Sequence, residues 1–157
     1  MLLVLMASIS ASAKKGVWPD GTKMDPWFEN REKVDVNTLG KRYVITEHGV
    51  ENDSTLIQTK AIQAVIDKAA AEGGGVVVVP QGTFLSGAVF FRQGTHLLVE
   101  EGGKLKGSEY IADFPILETR IEGQTCKYFA ALVNADNLEG FTIAGKGTID
   151  GNGYHYW

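Results

Sequence analysis

Apolar residues recur at helical spacing over positions 55–72, and glutamine, lysine and aspartate occupy positions between them. This pattern predicts one amphipathic helix over about residues 55–72. The run at 52–55, Asn-Asp-Ser-Thr, offers candidate N-caps, and Gly73 can supply a left-handed C-cap. The helix carries no evident chemistry, so its predicted role is to cover apolar surface.

The second half of the chain alternates between short apolar runs and glycine-rich turns. Residues 76–79 form an uninterrupted valine run that ends at Pro80, which predicts a strand buried on both faces, as in a parallel sheet. Further short strands are predicted over residues 43–46, 82–85, 88–91, 96–99, 103–107, 130–133, 141–144 and 148–150. A loop is predicted over about residues 108–127, where this regularity is interrupted.

The predicted strands follow one another closely, with no helix and no Asn-Gly turn between them. This arrangement favours a β-solenoid over a meander or sandwich, because each coil of a solenoid contributes several short parallel strands. The amphipathic helix precedes the valine strand, so we predict that it caps the open N-terminal end. The run 145–157 begins a repeat that it does not close, and no C-terminal cap follows. We therefore expect an all-β solenoid truncated after its first few coils.

Composition and charge narrow the range of functions. The chain has 157 residues, 44% of them hydrophobic, which is enough for one domain with its own core. Its net charge is −4 and it has no basic stripe, which disfavours nucleic acid as a partner. Cys126 is the only cysteine, and His48, His96 and His155 show no ligand spacing, so we predict no disulfide and no metal site.

The N-terminal segment predicts export. Residues 1–13 are mainly apolar and end in Ala-Ser-Ala, a pattern cleaved by signal peptidase, although the usual positive charge before the apolar run is missing. A buried N-terminal strand or helix is the alternative. We predict a signal-peptide-like segment at 1–13, an extended arm at 14–42, and the cap and first coils at 43–157. The mature protein would be secreted or periplasmic, without a membrane span.

Three sequence blocks carry a resemblance to a known family. The first is residues 59–87, which run from the helix through Gly-Gly-Gly and the valine strand to Pro-Gln-Gly-Thr. The second is Gly-Ser at 107–108 followed by Asp-Phe-Pro at 113–115. The third is the Gly-Lys-Gly-Thr-Ile-Asp-Gly-Asn-Gly signature, whose key residues are Gly145, Gly147, Asp150, Gly151 and Gly153, followed by Trp157. Together these blocks resemble the N-terminal portion of glycoside hydrolase family 28, the polygalacturonase-type enzymes.

The resemblance implies a right-handed parallel β-helix of the pectin-lyase-like kind. It also implies inverting hydrolysis of α-linked galacturonic acid chains by two carboxylates, with no cofactor, and a polysaccharide partner: pectin, polygalacturonate or rhamnogalacturonan. The family's Asn-Thr-Asp, Asp-Asp, Gly-His-Gly and Arg-Ile-Lys motifs do not occur in this sequence. No catalytic residue is therefore assigned. Residues 18–22 and 118–124 are similar to the exo-acting or rhamnogalacturonan-directed branch of the family.

Four residues are candidates for contacts with substrate. Arg120 and Glu122 lie in the predicted long loop, and an arginine pairs well with a sugar carboxylate, although a solvated or internally paired side chain is the alternative. His155 and Trp157 belong to an aromatic cluster that could border a sugar subsite or pack under a further coil. Asp150 sits at a turn entry, where a structural role is favoured over a catalytic one.

Two other functions stay open at this level. A lyase or epimerase on the same scaffold would typically recruit calcium through clustered acids, and no such cluster is seen in the sequence. A non-catalytic carbohydrate-binding or adhesin-like solenoid would have the repeat without the catalytic motifs. The codons downstream of Trp157 discriminate between these functions.

Overall fold

The computed structural model describes residues 16–29 and 34–156, and the chain divides into two compact units, Met1–Lys33 and Val34–Trp157. The predicted signal-peptide-like segment at 1–13 lies outside the described residues. In the first unit, Val17 and Lys23 form an antiparallel bridge that closes a turn, and a 3-10 helix follows at Pro26–Glu29. None of the helices among the described residues has the length and apolar character needed to cross a membrane.

The second unit is built mainly from short strands. They are β1 (Arg42–Val44), β2 (Gly75–Val79), β3 (Gly82–Ser86), β4 (Val89–Phe90), β5 (Thr95–Val99), β6 (Gly103–Gly107), β7 (Ile116–Ile121), β8 (Gln124–Phe129), β9 (Val133–Asn134), β10 (Ile143–Gly145) and β11 (Thr148–Asp150). One α-helix, α1, spans Thr59–Ala71, and short 3-10 helices lie at Val36–Thr38, Ile45–His48, Ile111–Asp113 and Gly153–Tyr156.

Three parallel sheets run along the solenoid, in the orders β1-β2-β5-β10, β3-β6-β11 and β4-β9. Gly75 pairs with Thr95 and Gly82 with Gly103, so each coil returns to the sheet that it left. The parallel β-helix predicted from the sequence is confirmed. The first two coils are complete in three strands each, and β10 and β11 form the third.

The valine run of β2 is buried along its whole length, as its composition predicts. Val77 and Val79 belong to the main core, which fills the interior of the coils. Val76 and Val78 lie on the outer face of the sheet beside Leu98 of β5, and Val36 and Leu39 pack against this cluster. Because both faces of β2 are buried, its sequence does not alternate between apolar and polar residues.

Helix α1 closes the N-terminal end of this core. Its buried side chains are Ile62, Val65, Ile66 and Ala69, at the spacing of one helical face. They pack in the same cluster as Val77, Phe84 and Leu97, so the predicted capping role is confirmed. Gly73 ends the helix with a φ of +98° and an N–H bond to Ala70 O, as expected of a C-terminal glycine.

The predicted N-terminus of this helix is wrong. The helix begins at Thr59, and none of the residues at 52–55 caps it. Asp53 instead closes its own turn, because its Oδ1 accepts bonds from the N–H and the hydroxyl of Thr55. Gln58 is the N-cap residue, but its side chain bonds the backbone of Glu51 in both directions, at 2.7 Å each. Local turn chemistry therefore outcompetes capping here.

The far end of the helix is tied to the first strand by a polar cluster. Lys41 Nζ donates to Glu72 Oε2, and the hydroxyl of the buried Tyr43 donates to the same oxygen at 3.0 Å. The hydrogen bond from Lys41, and after it the one from Tyr43, lowers the pKa of the Glu72 carboxyl below its ordinary value. The cluster contributes to stability above that ordinary pKa, and the contribution is lost as the pH falls through the lowered value.

Residues 116–129 correct the prediction of a loop over 108–127. Strands β7 and β8 pair antiparallel over their full length, from Ile116 opposite Phe129 to Ile121 opposite Gln124. Glu122 and Gly123 connect them, with φ values of +50° and +83°. Two consecutive positive φ values are the geometry of a type I′ hairpin turn. An Asn-Gly pair is the usual signal for such a turn, whereas Glu-Gly forms it here.

Candidate functional site

The hairpin β7–β8 and the sheet β4–β9 enclose a groove of about 910 Å³. The hairpin supplies one wall, which includes Leu117, Arg120 and Tyr128. Phe90 and Asn134, at the ends of the paired strands β4 and β9, lie on the opposite side. The groove exists because the chain leaves the solenoid after the second coil's β6, builds the hairpin, and returns in β9.

Asn134 fixes the shape of this groove. Its Oδ1 accepts a bond from the N–H of Ala131, and its Nδ2 donates to the carbonyl oxygens of Ala131 and Val89, at 2.6 and 3.0 Å. The amide therefore ties the turn before β9 to the preceding coil. All three bonds go to backbone atoms, so the Asn134 side chain stabilises the backbone around the groove and its polar atoms are already bonded.

Replacing Asn134 with aspartate tests that role. The change keeps size and acceptor but removes both donors, which leaves two carbonyl oxygens without this partner. We expect the free energy of unfolding to fall by about 1–3 kcal/mol. The control is Asn137→Asp, the same chemical change at an exposed neighbouring position, where we expect less than about 0.5 kcal/mol. Urea unfolding followed by circular dichroism measures both, and equal losses would contradict this assignment.

The hairpin is almost entirely exposed. Of its strand residues, all are exposed except the half-buried Cys126. Tyr128 and Phe129 stack with ring centroids 4.2 Å apart and an interplanar angle of 29°. Arg120 takes part in none of the side-chain hydrogen bonds or ion pairs that the described residues form.

The other candidate residues do not join Arg120 in one site. Glu122 lies at the tip of the hairpin turn and is not part of the groove lining. His155 falls in the 3-10 helix Gly153–Tyr156, but its side chain is not among those described, and Trp157 lies outside the described residues. The structure adds Tyr128 and Asp136 to the groove, and no motif or spacing in the sequence marks either of them.

The glycine signature lies where the third coil stacks on the second. Gly145 has a φ of +109°, and a Cβ at this position would lie 1.8 Å from the carbonyl oxygen of Val99. A Cβ at Gly147 would lie 2.4 Å from the carbonyl oxygen of Glu100. Asp150 Oδ1 accepts a bond from the N–H of Asn152 at 2.9 Å, the geometry of a side chain that closes its own turn.

Within the described parts of the chain, no group of three or more histidine, cysteine or acidic side chains is placed to hold a metal ion.

Comparisons with known proteins show what this chain is similar to in sequence. No family model matches the chain. The chain is 32% identical over 146 residues to an exo-poly-α-D-galacturonosidase of Dickeya chrysanthemi, a match that covers 88% of this chain and 24% of that protein. The chain spans about a quarter of the length of the curated relatives it matches.

Solved structures with similar folds agree with the sequence match. A hyperthermoactive exopolygalacturonase from Thermotoga maritima superposes with a TM-score of 0.66 and 27% identity, over 71% of this chain and 25% of that chain. A family 28 exopolygalacturonase from Yersinia enterocolitica gives a TM-score of 0.61 and 30% identity, over 71% of this chain and 21% of that chain.

Proposed function

We propose, because the chain belongs to the polygalacturonases of glycoside hydrolase family 28, that the full-length protein hydrolyses α-glycosidic bonds in galacturonic-acid-containing pectin. The observation that supports this most directly is the agreement of two independent comparisons. One relative matched by sequence and two structures matched by fold have names of exo-acting galacturonan hydrolases, and other matches are named more broadly as a probable polygalacturonase and a putative glycosyl hydrolase. The exo-acting branch of the family is accordingly the one that we propose.

The residues of this chain provide the scaffold of such an enzyme rather than its acid and base. Inverting glycosidases place two carboxyl groups roughly 6.5–9.5 Å apart, so that one protonates the leaving oxygen and the other activates a water molecule. The Asn-Thr-Asp and Asp-Asp motifs, which supply these carboxyl groups in the family, do not occur in this sequence. The cap helix and the first coils instead provide the rigid start on which later coils can stack.

The first test compares activities. A purified protein spanning residues 14–157 is expected to release no galacturonic acid from polygalacturonate, because it lacks the paired carboxylates. A full-length enzyme that contains this region should release it, and an exo-acting enzyme would yield short products of one size from the first minutes. Chromatography of the reducing sugars measures both. Hydrolysis by residues 14–157 would show that the acid and base lie within this chain.

A secreted or periplasmic location is also a proposal, supported by the apolar composition of residues 1–13 and by the polymeric substrate. A polysaccharide of plant cell walls cannot enter a cell intact, so the enzyme has to meet it outside. Cell fractionation of the native host, with an antibody against the 43–157 region, should find the protein in the periplasm or the medium. A purely cytoplasmic protein would contradict the proposal.

Among the candidates for substrate contacts, Arg120 has the most support, since it is exposed and lines the groove. Glu122, His155 and Trp157 stay predictions.

A further inference from the structure

We infer that the side chain of Gln63 stands in for a strand at the edge of β4 and keeps copies of this chain from pairing through that edge. The apolar face of α1 covers the core, but apolar cover cannot satisfy backbone N–H and C=O groups. An unpaired strand edge is a template on which another chain can add a strand. Gln63 lies on α1 outside its buried face and reaches the edge of β4 from there.

Strand β4 has a partner strand on one side only. Within the described residues its sheet contains β9 and no other strand. The N–H groups of Val89 and Phe91 donate to carbonyl oxygens in the segment 132–134, on the β9 side. Because successive residues of a strand direct their backbone groups to opposite sides, the N–H and C=O of Phe90 point to the free side. Strand β4 is two residues long, so Phe90 carries its whole free edge.

Gln63 occupies both backbone groups of Phe90. Its Oε1 accepts the N–H of Phe90 and its Nε2 donates to the carbonyl oxygen of Phe90, at 2.8 Å each. A neighbouring strand would supply the same acceptor and donor. Nε2 also donates to Asp67 at 3.0 Å, and Asp67 pairs with Arg92 at 2.9 Å. An ionised carboxylate only accepts, so Asp67 fixes which end of the amide faces each backbone group.

Two further glutamines form the same kind of clamp away from strand edges. Gln58 bonds the N–H and the C=O of Glu51, and Gln93 bonds those of Glu139 at 3.0 Å each. A side-chain amide carries one carbonyl and one NH₂ group, so it can replace the peptide group of a neighbouring segment. Glu51 and Glu139 lie outside the strands, so of these three clamps only the one formed by Gln63 closes a strand edge.

The occupant that this clamp excludes is a second copy of the chain. In an antiparallel pair of strands, two residues directly opposite each other can exchange both N–H···O bonds. Phe90 can therefore pair with Phe90 of a second copy about a two-fold axis, a self-complementary contact that satisfies both backbone groups. A partner has room to approach, because a groove of about 380 Å³ between α1 and β4 borders Gln63 and Phe90.

The first test is sedimentation velocity of the 157-residue chain and two variants over a series of concentrations. Gln63→Met removes both bonds to Phe90 and keeps an unbranched side chain of similar helix propensity. We expect its self-association constant to rise at least about tenfold, since two backbone groups become free for a partner chain. The matched control is Gln93→Met, which breaks the equivalent pair of bonds to Glu139. We expect no rise for this control.

Hydrogen exchange of the Phe90 amide gives a second test that needs no variant. In the unsubstituted chain we expect this N–H to exchange as slowly as those of Val89 and Phe91, which bond the β9 side. In Gln63→Met it should exchange fast at low concentration and slow down as copies pair. Fast exchange in the unsubstituted chain would overturn the inference, and this result decides if Gln63→Met does not fold. So would a folded Gln63→Met that associates no more than the unsubstituted chain, or equal association of Gln93→Met.

Discussion

Replacing Gly145 with alanine is expected to detach the third coil from the second and to lower the free energy of unfolding by at least about 3 kcal/mol. Two effects add. At a φ of +109°, any residue other than glycine is strained. The new Cβ would also lie 1.8 Å from the carbonyl oxygen of Val99, which belongs to the strand on which the third coil stacks. Backbone cannot yield as a flexible side chain does, so the coils have to separate.

Gly151→Ala is the matched control. It makes the same change within the same glycine signature, but a Cβ at Gly151 meets no atom within 4 Å. We expect its effect to stay below about 0.5 kcal/mol. Thermal unfolding gives the stability difference, and hydrogen exchange of Ile143 and Ala144 reports whether β10 has left the sheet. Equal stability of the two variants would show that the signature does not govern how closely the coils approach.

The glycine signature also illustrates which parts of this fold can be predicted from sequence. The helix, the valine strand and the short strands after it follow from the period of apolar residues, because burial imposes that period. Parallel pairing follows from a strand with no polar face. The glycines at 145 and 147 stand where a side chain would collide with a neighbouring coil, and their spacing is visible in the amino-acid sequence itself.

The errors come from contacts that periodicity does not encode. Gln58 stands at the helix N-terminus because its side chain is held by the backbone of Glu51, which a search for serine or aspartate caps does not detect. The hairpin escapes prediction since Glu122 takes a positive φ that its residue type rarely adopts. In both places the tertiary environment selects the local conformation, and the residue type alone gives a weaker signal.

The candidate site is predictable only in part for a related reason. Arg120 can be selected from the sequence because arginine suits a carboxylate ligand. Tyr128 and Asp136 belong to the same groove, yet nothing in the sequence marks them, because their proximity depends on how the hairpin folds back over the sheet β4–β9. The hairpin turn also places Glu122 at the tip rather than in the lining. Spacing along the chain predicts neither outcome.

Phe84→Ala is expected to cause the second large loss, about 3–5 kcal/mol of unfolding free energy. The ring is fully buried and belongs to the main core, with Leu105 as its register partner on the next coil. Ile149 occupies the same row on the third coil and is 41% exposed. Each inward side chain of a solenoid is packed between those of adjacent coils, so a cavity at Phe84 weakens both the cap and the second coil.

The control for this prediction lies one residue away. Thr83 alternates to the outer face of β3, opposite Lys104, so Thr83→Ala removes atoms of the same strand without opening a core cavity. We expect a change within about 0.5 kcal/mol for it. In denaturant unfolding, Phe84→Ala should have a lower midpoint concentration than the unsubstituted protein. The slope of the unfolding free energy against denaturant concentration should stay unchanged if the coils unfold together. Stability in a solenoid is carried by the contacts between neighbouring repeats, so its parts can unfold in separate steps. An unfolding curve with two steps, of which Phe84→Ala shifts only one, would show that the cap and the coils unfold separately.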